Sequence, residues 1–228
     1  MLLGLVVGSF IGAVTWRIPK QQGFVKGRSY CDNCKKELRW SDNIPLFSFL
    51  FYGGISRCCN KKISTRYPII EITTAISFVV LYFSFGFSLL LLKYYLLLIV
   101  TLSILVIDLE HQIIPDELSW LILFIFFIFA VPHTLFANLF SGFLFSLVLL
   151  ILYLSTGGRG MGLGDVKLAI PIGLLLGFEK GFMWIALSFV LGGLVASVLL
   201  ILKKANMKTK IAFGPFMIIA FWITSLLK

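Results

Sequence analysis

Apolar runs long enough to cross a bilayer recur along almost the whole chain, and this restricts its fold more than any other property. A transmembrane helix takes about 20 apolar residues, fewer where the helix is short or the bilayer thins. On that basis the chain predicts eight spans, at residues 1–17, 68–86, 93–110, 118–133, 137–155, 166–178, 182–202 and 214–227. Hydrophobic residues make up 59% of the sequence and charged ones 13%, against an apolar share of about 45–50% in soluble domains. An ordinary soluble protein is excluded. The expected architecture is an all-α integral membrane protein, with helix 1 over 1–17, a small cysteine-containing cytoplasmic domain over 18–67 and a seven-helix membrane core over 68–228.

The stretch 18–67 holds all four cysteines and turn formers such as Asp42-Asn43-Ile44-Pro45 and Gly53-Gly54, but no long apolar run. Eleven Lys and Arg residues lie between Arg17 and Arg66, and the positive-inside rule places such a segment in the cytoplasm. The N-terminus then lies outside, and alternation puts the loops near 111–117, 156–167 and 203–213 on the cytoplasmic face as well. On this topology 17 of the 20 basic side chains fall inside, leaving Lys93, Lys180 and Lys228. The net charge of +10 is thereby explained by topology, and no nucleic-acid partner is expected. The first sixteen residues read as a retained span rather than a secretory signal, because no basic residue precedes the apolar stretch and no Ala-x-Ala-like cleavage site is present. Gly4, Gly8 and Gly12 recur every four residues in it, a spacing that lets a second helix approach closely in lipid.

Two carboxylates stand at the edges of these apolar runs. Asp108 follows Leu96 to Ile107, and Asp165 closes Gly160-Met161-Gly162-Leu163-Gly164-Asp165 before the run from Val166 to Leu176. Ionisable groups in or beside a span are costly and tend to mark sites. Two predicted spans separate the pair, so chain parity returns both to the cytoplasmic edge. Carboxylates brought within a few ångströms share a proton. The ionised one can then take a proton from water as it attacks a peptide carbonyl, while the protonated one donates to the carbonyl oxygen. Gly162 and Gly164, without Cβ, would let backbone approach an extended peptide. Blander readings stand beside these: Asp165 as a helix N-cap, Asp108 as a headgroup-solvated carboxylate, and Asp116, after Pro115, as an N-cap first and a substrate contact second.

Taken with its surroundings, the pair resembles that of the prepilin peptidases, membrane aspartyl proteases that process type IV pilin precursors, pseudopilins and competence pilins. The resemblance runs through Gly8-Ser9-Phe10, Trp16-Arg17-Ile18-Pro19, Arg28-Ser29-Tyr30-Cys31-Asp32-Asn33-Cys34 and Asp42-Asn43-Ile44-Pro45. It continues through Ile63 to Glu71, Asp108 with Ile114-Pro115-Asp116, and Gly162-Leu163-Gly164-Asp165-Val166-Lys167-Leu168. Each motif is weak, but the ordered set is specific. The resemblance implies an enzyme of the bacterial inner (plasma) membrane that cuts a short basic leader from a type IV prepilin or pseudopilin after glycine, on the cytoplasmic side. Asp108 and Asp165 would be its catalytic pair, and proteolysis would need no cofactor. Relatives also methylate the new N-terminus with S-adenosylmethionine. No Rossmann glycine fingerprint is present, so that site would be built from the cytoplasmic domain and nearby helix ends. Glu71 is its candidate, against a helix-start carboxylate favoured by the macrodipole.

Cys31-x-x-Cys34 in a reducing compartment reads as half a structural zinc site. The family's second Cys-x-x-Cys would fall at Ser56 and Cys59, but the chain has Ser there and an extra Cys58, so the candidate ligands are Cys31, Cys34, Cys58 and Cys59. The alternative is free thiols packing a small domain. His111 lies three residues beyond Asp108 and could tune the pair, though a loop histidine is commoner. Glu110, Asp116 and Glu117 could receive a leader's lysines. Two rival functions remain. A presenilin-like intramembrane protease would carry Tyr before the first aspartate and a later Pro-Ala-Leu, where this chain has Ile107 and Gly214-Pro215-Phe216. A proton-coupled transporter would show repeats and midplane charges.

Overall fold

A computed structural model describes the chain apart from residues 22–29, 32, 40, 41, 43, 159, 205–208, 210 and 228. The basic residues Lys26, Arg28, Arg159, Lys208, Lys210 and Lys228, and the motif positions Ser29, Asp32 and Asn43, lie outside the described residues. The described chain is helical, with no strand beyond two isolated antiparallel bridges. Its helices are α1 (Leu2–Arg17), α2 (Phe47–Phe51), α3 (Arg66–Phe85), α4 (Leu89–His111), α5 (Asp116–Ile128), α6 (Leu135–Ser155), α7 (Leu163–Ile201) and α8 (Gly214–Leu226). Two compact units divide within α4, at Met1–Ser103 and Ile104–Lys228, and the insert 18–67 lies in the first.

In the first unit the glycines of α1 meet α3. A methyl group on Gly4 would come within 2.7 Å of the Ala75 Cα, one on Gly8 within 2.6 Å of the Glu71 Cα, and one on Gly12 within 3.2 Å of the Tyr67 ring. Partner numbers fall as the glycine numbers rise, so the helices are antiparallel, and the missing Cβ atoms let the backbones touch as small residues do in lipid. Polar atoms lock the same end: the Arg66 guanidinium donates to the Gly12 carbonyl at 3.2 Å and to the Thr15 hydroxyl at 2.7 Å. Gly86, with φ of 59°, ends α3. Beyond it α4 returns, with the Tyr95 ring stacked on Phe78 at 4.1 Å and its hydroxyl donating to the Phe78 carbonyl at 3.0 Å.

The second unit is built on the same device. The Ser141 hydroxyl of α6 donates to the Gly173 carbonyl at 3.0 Å and that of Ser146 to Val166 at 2.9 Å, which makes α6 antiparallel to the first half of α7. A methyl group on Gly173 would lie 2.9 Å from the Gly142 Cα. A straight α7 of 39 residues would reach about 58 Å, roughly twice a ~30 Å hydrocarbon core. It is not straight. Gly177 adopts φ 71°, ψ −172°. Both Gly173 and Gly181 press on the ring of Phe145, although a straight helix would hold them about 12 Å apart. The chain therefore turns back at Gly177, and the second half packs on α8, where the Trp184 indole N–H donates to the Met217 carbonyl at 2.8 Å.

The all-helical membrane class stands, and the count of eight spans is not confirmed. Among the described residues, five helical segments are long and apolar enough to cross a bilayer: Leu2–Lys20, Arg66–Phe85, Leu89–His111, Pro132–Ser155 and Leu163–Ile201. The expected segments 166–178 and 182–202 correspond to the two halves of α7 on either side of Gly177. The expected spans 118–133 and 214–227 contain helices of 13 residues each, about 20 Å long and short of a full crossing. α5 stops at Ile128 because Pro132 opens a separate 3₁₀ turn over Pro132–Thr134.

Candidate active site

Asp108 sits on the final turns of α4, beside Ile104 and Ile107, and is 4% exposed. The helix continues to His111 and closes where Gln112, at φ 55°, donates its N–H to the Asp108 carbonyl at 2.9 Å. A headgroup-solvated carboxylate is thus not what the fold presents. Its Oδ2 is buried with no hydrogen-bond partner among the described residues. Facing it is Gly214 at the start of α8, where a methyl group would come within 2.5 Å of that oxygen.

Asp165 is the third residue of α7 and 6% exposed. The N-cap is Gly162, in extended conformation, and the Asp165 Oδ2 reaches back to accept its N–H at 3.0 Å. That is the acidic half of a capping box, which corrects the N-cap reading of Asp165. The carboxylate serves the helix start from inside the first turn, and the positive end of the helix lies around it.

Ile114 bridges the two glycine edges. Methyl groups on Gly164 and on Gly214 would each lie 3.1 Å from its side chain. In this arrangement the space beside Gly164 is filled by Ile114, while Gly162 borders Asp165 itself. Residue type alone does not mark Ile114 or Gly214 as part of the site. The available sign is Gly214-Pro215, a helix start in which proline fixes the first turn. Asp116 is not an N-cap either: Pro115 holds that place, and both Asp116 oxygens accept from the Lys167 ammonium, at 2.9 and 2.7 Å. This pair is about half exposed on each side, and Glu110, His111 and Glu117 are exposed beside it in sequence.

Glu71, 6% exposed on α3, accepts the Leu46 N–H at 2.7 Å and a bond from the Ser9 side chain. It lines a cavity of about 600 Å³ inside the first unit. Leu46 is held at φ 60°, ψ −44°, a backbone conformation that disfavours a residue with Cβ.

The four cysteines converge. Their sulfurs all lie within 4.8 Å of one another, with Cys31 to Cys59 at 3.8 Å and Cys34 to Cys58 at 2.9 Å. Two hairpins of one design deliver them. In the first, Tyr30 pairs with Glu37, the Cys31 N–H donates to Lys36 and the Lys35 N–H to Cys31, with Lys35 at φ 61°. In the second, Ile55 pairs with Lys62, the Ser56 N–H donates to Lys61 and the Asn60 N–H to Ser56, with Asn60 at φ 54°. Every position is displaced by 25. Ser56 therefore occupies the place of Cys31 and Cys59 that of Cys34, while Cys58 is the additional thiol.

The Ser56 hydroxyl lies 3.4 Å from the Cys31 sulfur and 3.1 Å from that of Cys58. Burial opposes ionisation of Cys31, but hydrogen bonds from Ser56 and from the backbone of Cys34 and Asn33 prevail and bring its thiol down to about 6. The hydrogen bond with Cys34 pushes the Cys58 thiol up to about 12. Tetrahedral zinc with Zn–S of about 2.3 Å needs sulfurs somewhat under 4 Å apart, and the cluster is near that size.

Residues 2–85 match the bacterial peptidase A24 N-terminal domain, and residues 95–197 match the type IV leader peptidase family. A prepilin leader peptidase/N-methyltransferase of Pseudomonas aeruginosa is 34% identical, covering 99% of this chain and 88% of that protein. Its counterpart in Stutzerimonas stutzeri is 33% identical over 99% of this chain and 89% of its own length. The one in Neisseria gonorrhoeae is 30% identical over 97% and 87%. No solved structure matches the chain.

Proposed function

The chain belongs to the type IV leader peptidase family, and from that premise we propose that it removes the basic leader of type IV prepilins or pseudopilins after glycine and methylates the N-terminus so exposed. Asp108 and Asp165 are the catalytic pair. The observation that carries this reading is their joint burial in one unit around Ile114, whose side chain lies against Gly164 beside Asp165 and against Gly214 at the Asp108 Oδ2, with that oxygen lacking any partner among the described residues. An oxygen in that condition is suited to a water or a substrate carbonyl.

One carboxylate, ionised, accepts a proton from water as the water oxygen attacks the peptide carbonyl carbon. The other, protonated, donates to the carbonyl oxygen. Collapse of the resulting diol breaks the C–N bond as the amine takes a proton from the pair. The Gly162 N–H holds Asp165 at the helix start during these exchanges. Membership of this family leaves no place for the transporter or presenilin-type readings. The cytoplasmic location of the pair, the insert 18–67 on that face and the core 68–228 in the bilayer are part of the proposal and draw support from the distribution of basic residues.

Cys31, Cys34, Cys58 and Cys59 would hold a structural zinc ion, which would tie the two hairpins of the insert together.

Purified protein in nanodiscs, given a membrane-embedded prepilin, tests the central claim. Asp108→Asn and Asp165→Asn should each lower the cleavage rate by roughly a hundred- to ten-thousandfold, with melting temperatures near wild type. Normal cutting by both variants would refute the assignment of the pair.

A further inference from the structure

The short helix α2 turns its bulkiest apolar side chains away from the protein. Phe47, Leu50 and Phe51 are 67%, 68% and 83% exposed, and positions i, i+3 and i+4 share one helix face. Ser48, Phe49 and Tyr52 point the other way and line the cavity of the first unit. Ile44 and Ile55, on either side of the helix, are exposed as well. Apolar surface gathered in this way marks a contact with a membrane or with another protein.

Depth decides between them. Arg66 opens α3 and donates to the Gly12 carbonyl and the Thr15 hydroxyl of α1. Glu71 lies five residues further along α3, about 7.5 Å at the helical rise. Gly8, which packs on the Glu71 Cα, lies four residues from Gly12 along α1, about 6 Å by the same measure. Both counts place Glu71 inside the span, well below the arginine. The helix α2 is attached at that depth, because its N-cap Leu46 donates its N–H to the Glu71 carboxylate at 2.7 Å. Around the same level Phe10 of α1 and Ile69 and Ile72 of α3 are exposed, on helices long and apolar enough to span a bilayer. The face of α2 thus continues a surface that lipid covers.

We propose that α2 is seated in the leaflet on the insert's side, with Phe47, Leu50 and Phe51 among phospholipid acyl chains. Amphipathic helices at a membrane surface bury their apolar face about 5–10 Å into the headgroup and acyl boundary, which is the depth the Glu71 clasp sets. Backbone donors placed there need partners, and the start of α2 provides them. The Leu46 N–H goes to Glu71, that of Phe47 to the Pro45 carbonyl at 2.6 Å and that of Ser48 to the Ile44 carbonyl at 3.1 Å. Charge agrees. From Leu46 to Ile70 the chain carries Arg57, Lys61, Lys62 and Arg66 and no acidic residue, a balance that suits the anionic headgroups of a cytoplasmic leaflet. A second copy of the chain is the poorer occupant, since a stable protein interface takes about 20–30 residues a side and this face offers a handful. On this reading the segment 18–67 is not wholly outside the bilayer, and α2 holds it against the membrane surface.

Photocrosslinking tests the seating. Full-length protein carrying Phe51→p-benzoylphenylalanine, or separately Phe47→p-benzoylphenylalanine, is reconstituted in nanodiscs of phosphatidylethanolamine and phosphatidylglycerol and irradiated. Each change enlarges a ring that is already exposed, so melting temperatures should match wild type. Intact-mass spectrometry should show the chain heavier by one phospholipid, and fragmentation should place the new bond on an acyl chain. Adducts confined to the headgroup, crosslinks to a second copy or to another protein in place of lipid, or no adduct at either position would each overturn the proposal.

Discussion

No side chain fits at Gly214, because Asp108 lies there: a methyl group on the glycine would come within 2.5 Å of the Asp108 Oδ2. Ile114 lies 3.1 Å from the same position, so an added methyl group is crowded by both side chains. Gly214→Ala should therefore displace Asp108 while leaving its chemistry intact. A misplacement on the order of 1 Å can cost about a hundredfold in rate, and leader removal by Gly214→Ala should fall by a factor of that size. Cleavage at the wild-type rate would mean that the carboxylate does not need its observed position.

Gly181 makes a comparable demand away from the carboxylates. A Cβ there would fall on the Phe145 ring, so Gly181→Ala should destabilise the second unit by about 1–3 kcal/mol, the usual penalty of overpacking. Phe145→Leu should return part of that loss in the double variant, because contacting residues do not act additively. Thermal melting of the four proteins in one detergent checks this, and strictly additive losses would count against the contact.

The displaced thiol predicts a specific pattern of metal content. Cys58→Ser should reduce zinc from about one ion per chain, since a structural site takes four ligands. Adding Ser56→Cys to that variant should restore it, because position 56 occupies in its hairpin the place Cys31 holds in the other. Elemental analysis of purified protein gives the result. Full zinc in Cys58→Ser would remove Cys58 from the ligand set.

Glu71 separates a polar clasp from a charged one. Glu71→Gln keeps an oxygen for the Leu46 N–H, whereas Glu71→Ala leaves that donor without its partner, at a cost of about 1–3 kcal/mol. Melting should follow that order, with the glutamine variant near wild type. Equal losses in both would show that the negative charge, not the hydrogen bond, holds the loop.

Features written in residue type are legible in the sequence. Glycines at 4, 8 and 12 announce a close helix partner, and α3 supplies it. Two aspartates ending apolar runs stand out because charge is rare there, and both are buried in one unit. Features written in backbone geometry are not legible in the same way. Charge usually marks a loop, so the residue pattern puts the turn in α7 near Glu179 and Lys180. Instead these residues remain helical, Lys180 donates to the Leu227 carbonyl at 2.7 Å, and the reversal falls on Gly177, the one position there with positive φ. The contact of Asp108 with Gly214 joins residues too far apart in sequence for any local pattern to reveal it. The adjacent Cys58 and Cys59 look poor as joint ligands, yet the left-handed turn at Asn60 leaves both sulfurs within the cluster.

The paired hairpins have a consequence for how the insert can vary. Because Cys31 and Cys34 meet Cys58 and Cys59, the segment from Arg39 to Gly54 is a ring fastened at its base. Residues added to or lost from that ring away from Asp42 and Leu46, which are tied to Arg57 and Glu71, would change its circumference and leave the place where α3 begins untouched, so length variation should be tolerated there while the base keeps its register.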